Sequence, residues 1–213
     1  MKILTRQLGR HSFIFSEYKT LYWEAKRTLV LSDIHLGKAA HFRKHGIAIP
    51  SEIMQKDLER LGEALDYFNP QRLIIVGDLI HAGNNSDTLL FDEWRAKHPF
   101  LEIDLVKGNH DRIKKEYLEK WKINLYQDQL QIEDILFVHE PVKTGGLFTI
   151  SGHIHPGVSL KLQKHQVIRL ACWAFNDEQL ILPAFCSFSG MDTKYVRQGF
   201  QKIAVADGLI IEI

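Results

Sequence analysis

Thr28-Leu29-Val30-Leu31-Ser32-Asp33-Ile34-His35 is the stretch that decides the fold. Four residues that suit a buried strand run straight into a polar cluster, so chemistry sits at the strand's carboxyl end. The pattern recurs. Leu73-Ile74-Ile75-Val76 leads into Gly77-Asp78, and a strand over 101–106 leads into Gly108-Asn109-His110-Asp111. Between the first two strands, Met54, Leu58, Leu61, Leu65 and Phe68 recur at steps of four and three, one face of a helix. Pro50-Ser51-Glu52 supplies its start, with a cap residue and an early acid, and Asn69-Pro70 its stop. Further helices are predicted over 86–97 and 112–120. Strand alternating with helix argues for βαβ units and a largely parallel sheet.

The second half changes character. Strands are predicted over 135–138, 148–151, 158–162 and 167–172 with short connections. Asp207-Gly208 lies between the apolar runs 203–205 and 209–211, a strong hairpin signal. Residues 13–15 and 21–23 suggest another hairpin. The expectation is an α/β chain with a β-rich, α+β-like second half. It forms a single domain over residues 1–213, two sheets packed together with helices outside.

Composition bounds the function. The chain has 213 residues, with 27 Lys and Arg against 26 Asp and Glu, a formal charge of +1. With 45% hydrophobic residues it can bury a core, and disorder is excluded. Near-neutrality excludes a globally basic nucleic-acid binder but not a local basic patch. Two cysteines, Cys172 and Cys186, are too few for a disulfide framework and point to a reducing compartment. No leader pattern or membrane-length apolar run is present, so a cytoplasmic, soluble protein without membrane contact is expected. The 11 histidines are the compositional oddity, and their placement decides what they mean.

Five of them fall at predicted strand ends. Together those ends carry Asp33, His35, Asp78, Asn109, His110, His139, His153 and His155. Ligands of α/β sheets bind beyond the carboxyl ends of the strands. Positions i and i+2 leave a strand on one side, so Asp33 and His35 are expected to aim at one spot. His153 and His155 form a second such pair. Oxygen and nitrogen donors without thiolate suit Mn, Fe or Zn. Eight donors are too many for one ion with an open position, whereas two ions about 3.5–4 Å apart would use them.

The ordered set Asp-x-His, Gly-Asp, Gly-Asn-His-Asp, a single His and Gly-His-x-His resembles the calcineurin-like metallophosphoesterases. The similarity widens through Leu21-Tyr22-Trp23, the run from His35 to Arg43 with Gly46 and Pro50, Trp94, Pro156 and Leu182-Pro183-Ala184-Phe185. These are similar to the DNA-ligase-associated, PdeM-type branch, whose bacterial members are named DNA-damage-response endonucleases. The resemblance implies a four-layer αββα sandwich of two mixed β-sheets. It implies that Asp33, His35 and His155 hold one divalent ion, that Asn109, His139 and His153 hold another, and that Asp78 bridges them. Mn is the first candidate, with Fe, Zn or Mg as alternatives. The ions lower the pKa of a shared water, so that hydroxide attacks phosphorus in line. His110 is assigned to the leaving group, as general acid or cationic stabiliser, with Asp111 orienting His110 or the loop. Lys38, Arg43 and His81 are candidate substrate contacts, although Lys38 and Arg43 also fit a plain solvated face.

The leading expectation is a phosphodiesterase or nuclease that cleaves DNA in a repair pathway shared with a ligase or helicase. A homodimer is the default assembly. The alternatives are an enzyme acting on a small nucleotide or other phosphoester, and a non-catalytic binding module of the same fold.

Overall fold

The computed structural model describes residues 1–82, 86–161, 166–196, 198–206 and 208–213. Leu162, His165 and Asp207, which figure in the sequence reading, lie outside the described residues. Two mixed sheets pack face to face. The first has seven strands in chain order: β1 (Ile3–Leu8), β2 (His11–Ser16), β3 (Leu21–Trp23), β4 (Thr28–Leu31), β5 (Arg72–Val76), β6 (Glu102–Val106) and β7 (Ile123–Tyr126). Strands β4 to β7 are parallel, while β1 to β4 form an antiparallel meander. The expectation of a largely parallel sheet therefore holds only for its second half. The reason is local: short turns join the N-terminal strands, and only antiparallel neighbours can be joined that way.

The helices are α1 (Lys38–Lys44), α2 (Ile53–Phe68), α3 (Ser86–Lys97) and α4 (Lys115–Trp121). Alternation along β4 shows why the sheet is buried twice. Leu29 and Leu31 join Leu58 and Leu61 of α2, Phe91 and Trp94 of α3 and Trp121 of α4 on one face. Val30, with Ile74 and Val76 of β5, points the other way onto Ile150 and Trp173 of the second sheet.

That second sheet contains β8 (Gln129–Ile132), β9 (Ile135–Val138), β10 (Phe148–Ser151), β11 (Gly157–Lys161), β12 (Val167–Phe175), β13 (Gln179–Ile181), β14 (Gln201–Ala206) and β15 (Leu209–Glu212). The order is β15-β14-β12-β13-β10-β9-β8, with β11 paired to β12. Strand β10 is parallel to β9 and β13, and the other pairings are antiparallel. Its far face carries two small clusters, Val158–Cys172–Ala204 and Ala174–Ile181–Val196. Both cysteines are free and buried.

Two local expectations need correction, and one helix was not foreseen. Ser51 does not cap α2; its hydroxyl donates to the Glu52 carboxylate at 2.6 Å, and no side chain caps the helix. Helix α4 starts at Lys115 rather than 112, because Lys114 is extended (φ −79°, ψ 148°). Helix α1 was not predicted, since it buries only Ala39 and shows no apolar stripe.

Candidate metal centre

Each polar cluster leaves the end of a strand. Asp33 and His35 follow β4, Asp78 follows β5, and Asn109 to Asp111 follow β6 on the first sheet. His139 follows β9, and His153 and His155 follow β10 on the second. Backbone bonds splice the turns together. The Asp33 and His35 N–H groups donate to the Gly77 and Asp78 carbonyls at 3.1 and 2.8 Å, and Gly152 N–H donates to the His139 carbonyl at 3.0 Å.

The convergence predicted for Asp33 with His35 is present, but strand alternation does not produce it. Ten non-glycine residues among those described have positive φ, and Asp33 (55°), His35 (54°), Asp78 (47°), His153 (66°) and His155 (51°) are five of them. Left-handed backbone costs most L-residues energy and concentrates at sites where a side chain must be aimed. Here alternate residues are turned inward one by one. Close glycines make this possible. A Cβ on Gly77, itself at φ +82°, would sit 1.8 Å from His139 Nδ1, and one on Gly108 would sit 2.1 Å from Asp78 Oδ1.

Two cradles result. In the first, His155 Nε2 lies 3.3 Å from His35 Nε2 and 3.4 Å from Asp33 Oδ1. In the second, His139 Nε2 lies 3.0 Å from Asn109 Oδ1 and 3.1 Å from His153 Nδ1. Asp78 stands between them, with Oδ2 3.9 Å from His35 Nδ1 and Oδ1 3.7 Å from His139 Nε2. Among the described residues, the groups whose ligand atoms lie close enough to hold an ion are Asp33–His35–His155 and Asp33–Asp78–His139, which share Asp33, and, away from these strand ends, His11–Glu133–Asp134.

The donor set fits a divalent cation. Asp33 Oδ1 is buried without a hydrogen bond, a costly state for a carboxylate oxygen unless a cation meets it. Two imidazole nitrogens at 3.1–3.3 Å share at most one proton, and both lone pairs can instead face an ion. Burial, then the Lys38 ammonium, push His35 down to about 3, so its ring is neutral at neutral pH. Burial pushes Asp33 up, but the adjacent His155 imidazole outweighs it and holds the carboxyl below its usual range.

The remaining predicted residues divide. His110 is exposed. Its N–H donates to Asp78 Oδ1 at 3.0 Å, and its ring lies 6.3 Å from that of His35 and 5.4 Å from that of His81. His81 adjoins the first cradle, its ring 5.7 Å from that of His35. Lys38 lies close enough for its charge to lower both His35 and His81. Arg43 donates to the Pro50 carbonyl at 3.1 Å. The Asp111 carboxylate accepts backbone N–H groups from Ile80 and Gly108, each at 2.8 Å, and so holds the loop rather than the His110 ring.

Sequence reading missed Asp57. It is fully buried on α2 and accepts the Ser187 N–H at 2.9 Å and the Ser187 hydroxyl at 2.5 Å, pinning the segment beside the first cradle. An acid within the apolar stripe of Met54, Leu58 and Leu61 was the available signal.

Comparison with known proteins agrees with this architecture. The calcineurin-like phosphoesterase family matches residues 26–188. A nuclease MPE of Pseudomonas putida is 25% identical, with 100% of each chain covered and a TM-score of 0.84. Yfce, a phosphoesterase from E. coli, is 16% identical over 87% of this chain and 97% of that one, with a TM-score of 0.44. Protein AQ665 of Aquifex aeolicus, of unknown function, is 21% identical over 60% of this chain and 78% of that one, with a TM-score of 0.45. No curated protein matches. Among the described residues, no helix is long and apolar enough to cross a membrane. With a family match over most of its length and a donor set to go with it, the chain belongs to the calcineurin-like phosphoesterases and is a metal-dependent phosphoester hydrolase.

Proposed function

We propose that the protein hydrolyses phosphodiesters at a centre of two divalent ions. Asp33, His35 and His155 would hold the first ion, Asn109, His139 and His153 the second, with Asp78 shared between them. The observation that supports this is the placement of Asp78, with one oxygen 3.9 Å from His35 Nδ1 and the other 3.7 Å from His139 Nε2. Bound there, divalent ions supply Lewis-acid polarisation of the phosphoryl oxygens and a lowered pKa for a coordinated water. The chain's own residues do the rest. Asp78 also accepts the His110 N–H, which fixes the turn that presents the His110 ring at the open side of the site. From there the ring can give a proton to the departing oxygen or stabilise its charge. Lys38 and His81 border the same opening and are placed to meet a phosphate. Asp111 ties the β5 and β6 turns together and so keeps Asn109 opposite Asp78.

The likeness to a bacterial nuclease and the PdeM-type sequence signature support DNA as the strand cleaved. Manganese as the ion, a repair pathway shared with a ligase or helicase, a homodimer and a cytoplasmic setting rest on the resemblance and the general arguments from sequence.

The test is direct. Protein loaded with Mn should hydrolyse bis-p-nitrophenyl phosphate and bind two Mn per chain by elemental analysis, and Asp78→Asn should lose both properties. Full metal content in Asp78→Asn would overturn the bridging role. No turnover with Mn, Fe or Zn would overturn the phosphodiesterase.

A further inference from the structure

Beyond His155 the centre opens into a groove of about 540 Å³, lined by Lys19, Arg60, Arg169, Ser189 and Met191 among others. Lys38 reaches the same groove from the first cradle, its ammonium donating to Ser189 Oγ at 3.4 Å. The charges in it are not equivalent. Arg60 belongs to the fold: it pairs with buried Asp57 at 2.9 Å, donates to Ser187 Oγ and the Phe185 carbonyl, and lies 4.3 Å above the Phe185 ring. It fixes the wall. Arg169 on β12 is exposed, and its guanidinium has no ion-pair or hydrogen-bond partner among the described residues. Among the described residues that line the groove the acid is Glu17, which accepts the Lys2 N–H at 2.8 Å and faces the amino terminus at 3.9 Å. Tyr18 is hydrogen-bonded to Glu63 and pushed up to about 12, so it stays neutral. A cationic groove thus continues from the cradle.

We propose that this groove holds a single nucleic-acid strand on one side of the scissile phosphate, with Arg169 meeting the next phosphate along. The inference rests on the phosphodiesterase reading of the centre and adds where the substrate lies. A volume of about 540 Å³ is that of a ligand cleft. It admits a nucleotide or two but not a double helix, which carries two backbones with paired bases between them and is broader than such a cleft. Met191 and Leu170 give the sugar and base apolar surface, and Arg169 gives the backbone its counter-charge. A substrate with a single phosphate at the metals would leave Arg169 without a role.

Binding of a fluorescein-labelled oligothymidylate, followed by anisotropy in EDTA so that nothing is cleaved, tests the groove separately from the chemistry. Arg169→Ala should weaken binding about fivefold or more and lower the log–log salt slope by about 0.7, the value for one single-strand phosphate contact. Arg169→Lys should recover most of both. Lys115→Ala, on α4 and exposed, should change neither. Affinity and slope within about twofold of wild type in Arg169→Ala would overturn the groove assignment, as would duplex binding that is tighter and equally sensitive to Arg169. If bis-p-nitrophenyl phosphate is not hydrolysed while the Arg169 effect persists, the reaction assigned to the centre fails and the groove stands.

Discussion

The Asp111 carboxylate accepts the Ile80 N–H through Oδ1 at 2.8 Å and, through Oδ2, the Gly108 N–H at the same distance. One buried side chain thus clamps the turn after β5 to the turn after β6. Burial pushes its carboxyl up to about 6, against the pull of those two bonds. The unfolded value is 3.8, so the folded protein holds the proton more tightly. The stability contributed by this proton is complete below 3.8 and is lost as the pH rises to about 6. In chelator-treated protein, wild type should therefore gain on Asp111→Asn as the pH falls from about 7 to about 4.5, by the order of 1–3 kcal/mol. Denaturant titrations at several pH values measure the gain. A constant difference would return the carboxyl to its ordinary range.

Gly77→Ala should abolish metal uptake. The new methyl would stand 1.8 Å from His139 Nδ1 on a backbone already at φ +82°, and neither His139 nor the turn can give way that far. Isothermal titration with Mn would show it, and an affinity within tenfold of wild type would contradict the geometry.

Gly62 offers the contrasting case. It lies within α2, and a Cβ there meets nothing within 4 Å. Gly62→Ala should stabilise the protein by about 0.5–1 kcal/mol through helix propensity alone. Loss of stability on denaturant titration would reveal a contact that the structure lacks.

His110 is exposed and touches the centre through its backbone and ring position. His110→Ala should lower turnover of bis-p-nitrophenyl phosphate by about 10²–10⁴-fold, the scale of a lost acid–base group, with metal content unchanged. Turnover within threefold of wild type would remove His110 from the mechanism.

Both thiols should be inert in the folded protein. Burial pushes Cys172 up to about 12 and Cys186 up to about 11. Because the thiolate is the nucleophile, alkylation at about pH 8 should run at least about a hundredfold slower than for an exposed cysteine. Two equivalents should react after unfolding. Mass spectrometry of native and denatured samples distinguishes these, and rapid native labelling would place a thiol at the surface.

Much of this centre was legible from residue types and order, because Asp33-x-His35 and His153-x-His155 are local patterns at strand ends. Their cause was not legible. Alternation along a strand suggests the same convergence that left-handed turns achieve, and only φ separates the two. Helix α1 escaped because it has seven residues and buries one of them. The role of Asp57 escaped because Ser187 lies 130 residues away in the chain. The groove escaped for the same reason, since it joins the β2–β3 turn, α2, β12 and the segment after β13. Charge within a pattern can be read locally, but charge facing a cavity requires the packing.

Each cradle draws from both sheets: Asp33 and His35 meet His155, and Asn109 meets His139 and His153. Ions seated there would act as rivets between two halves that the chain completes at different times. Ligands from the first sheet have all been synthesised by Asn109, yet neither cradle closes before His153 and His155 join. Uptake of metal would therefore report finished assembly, and a truncated or mispacked chain would remain unarmed. A hydrolase built this way would gain its cutting power only once its fold had been checked.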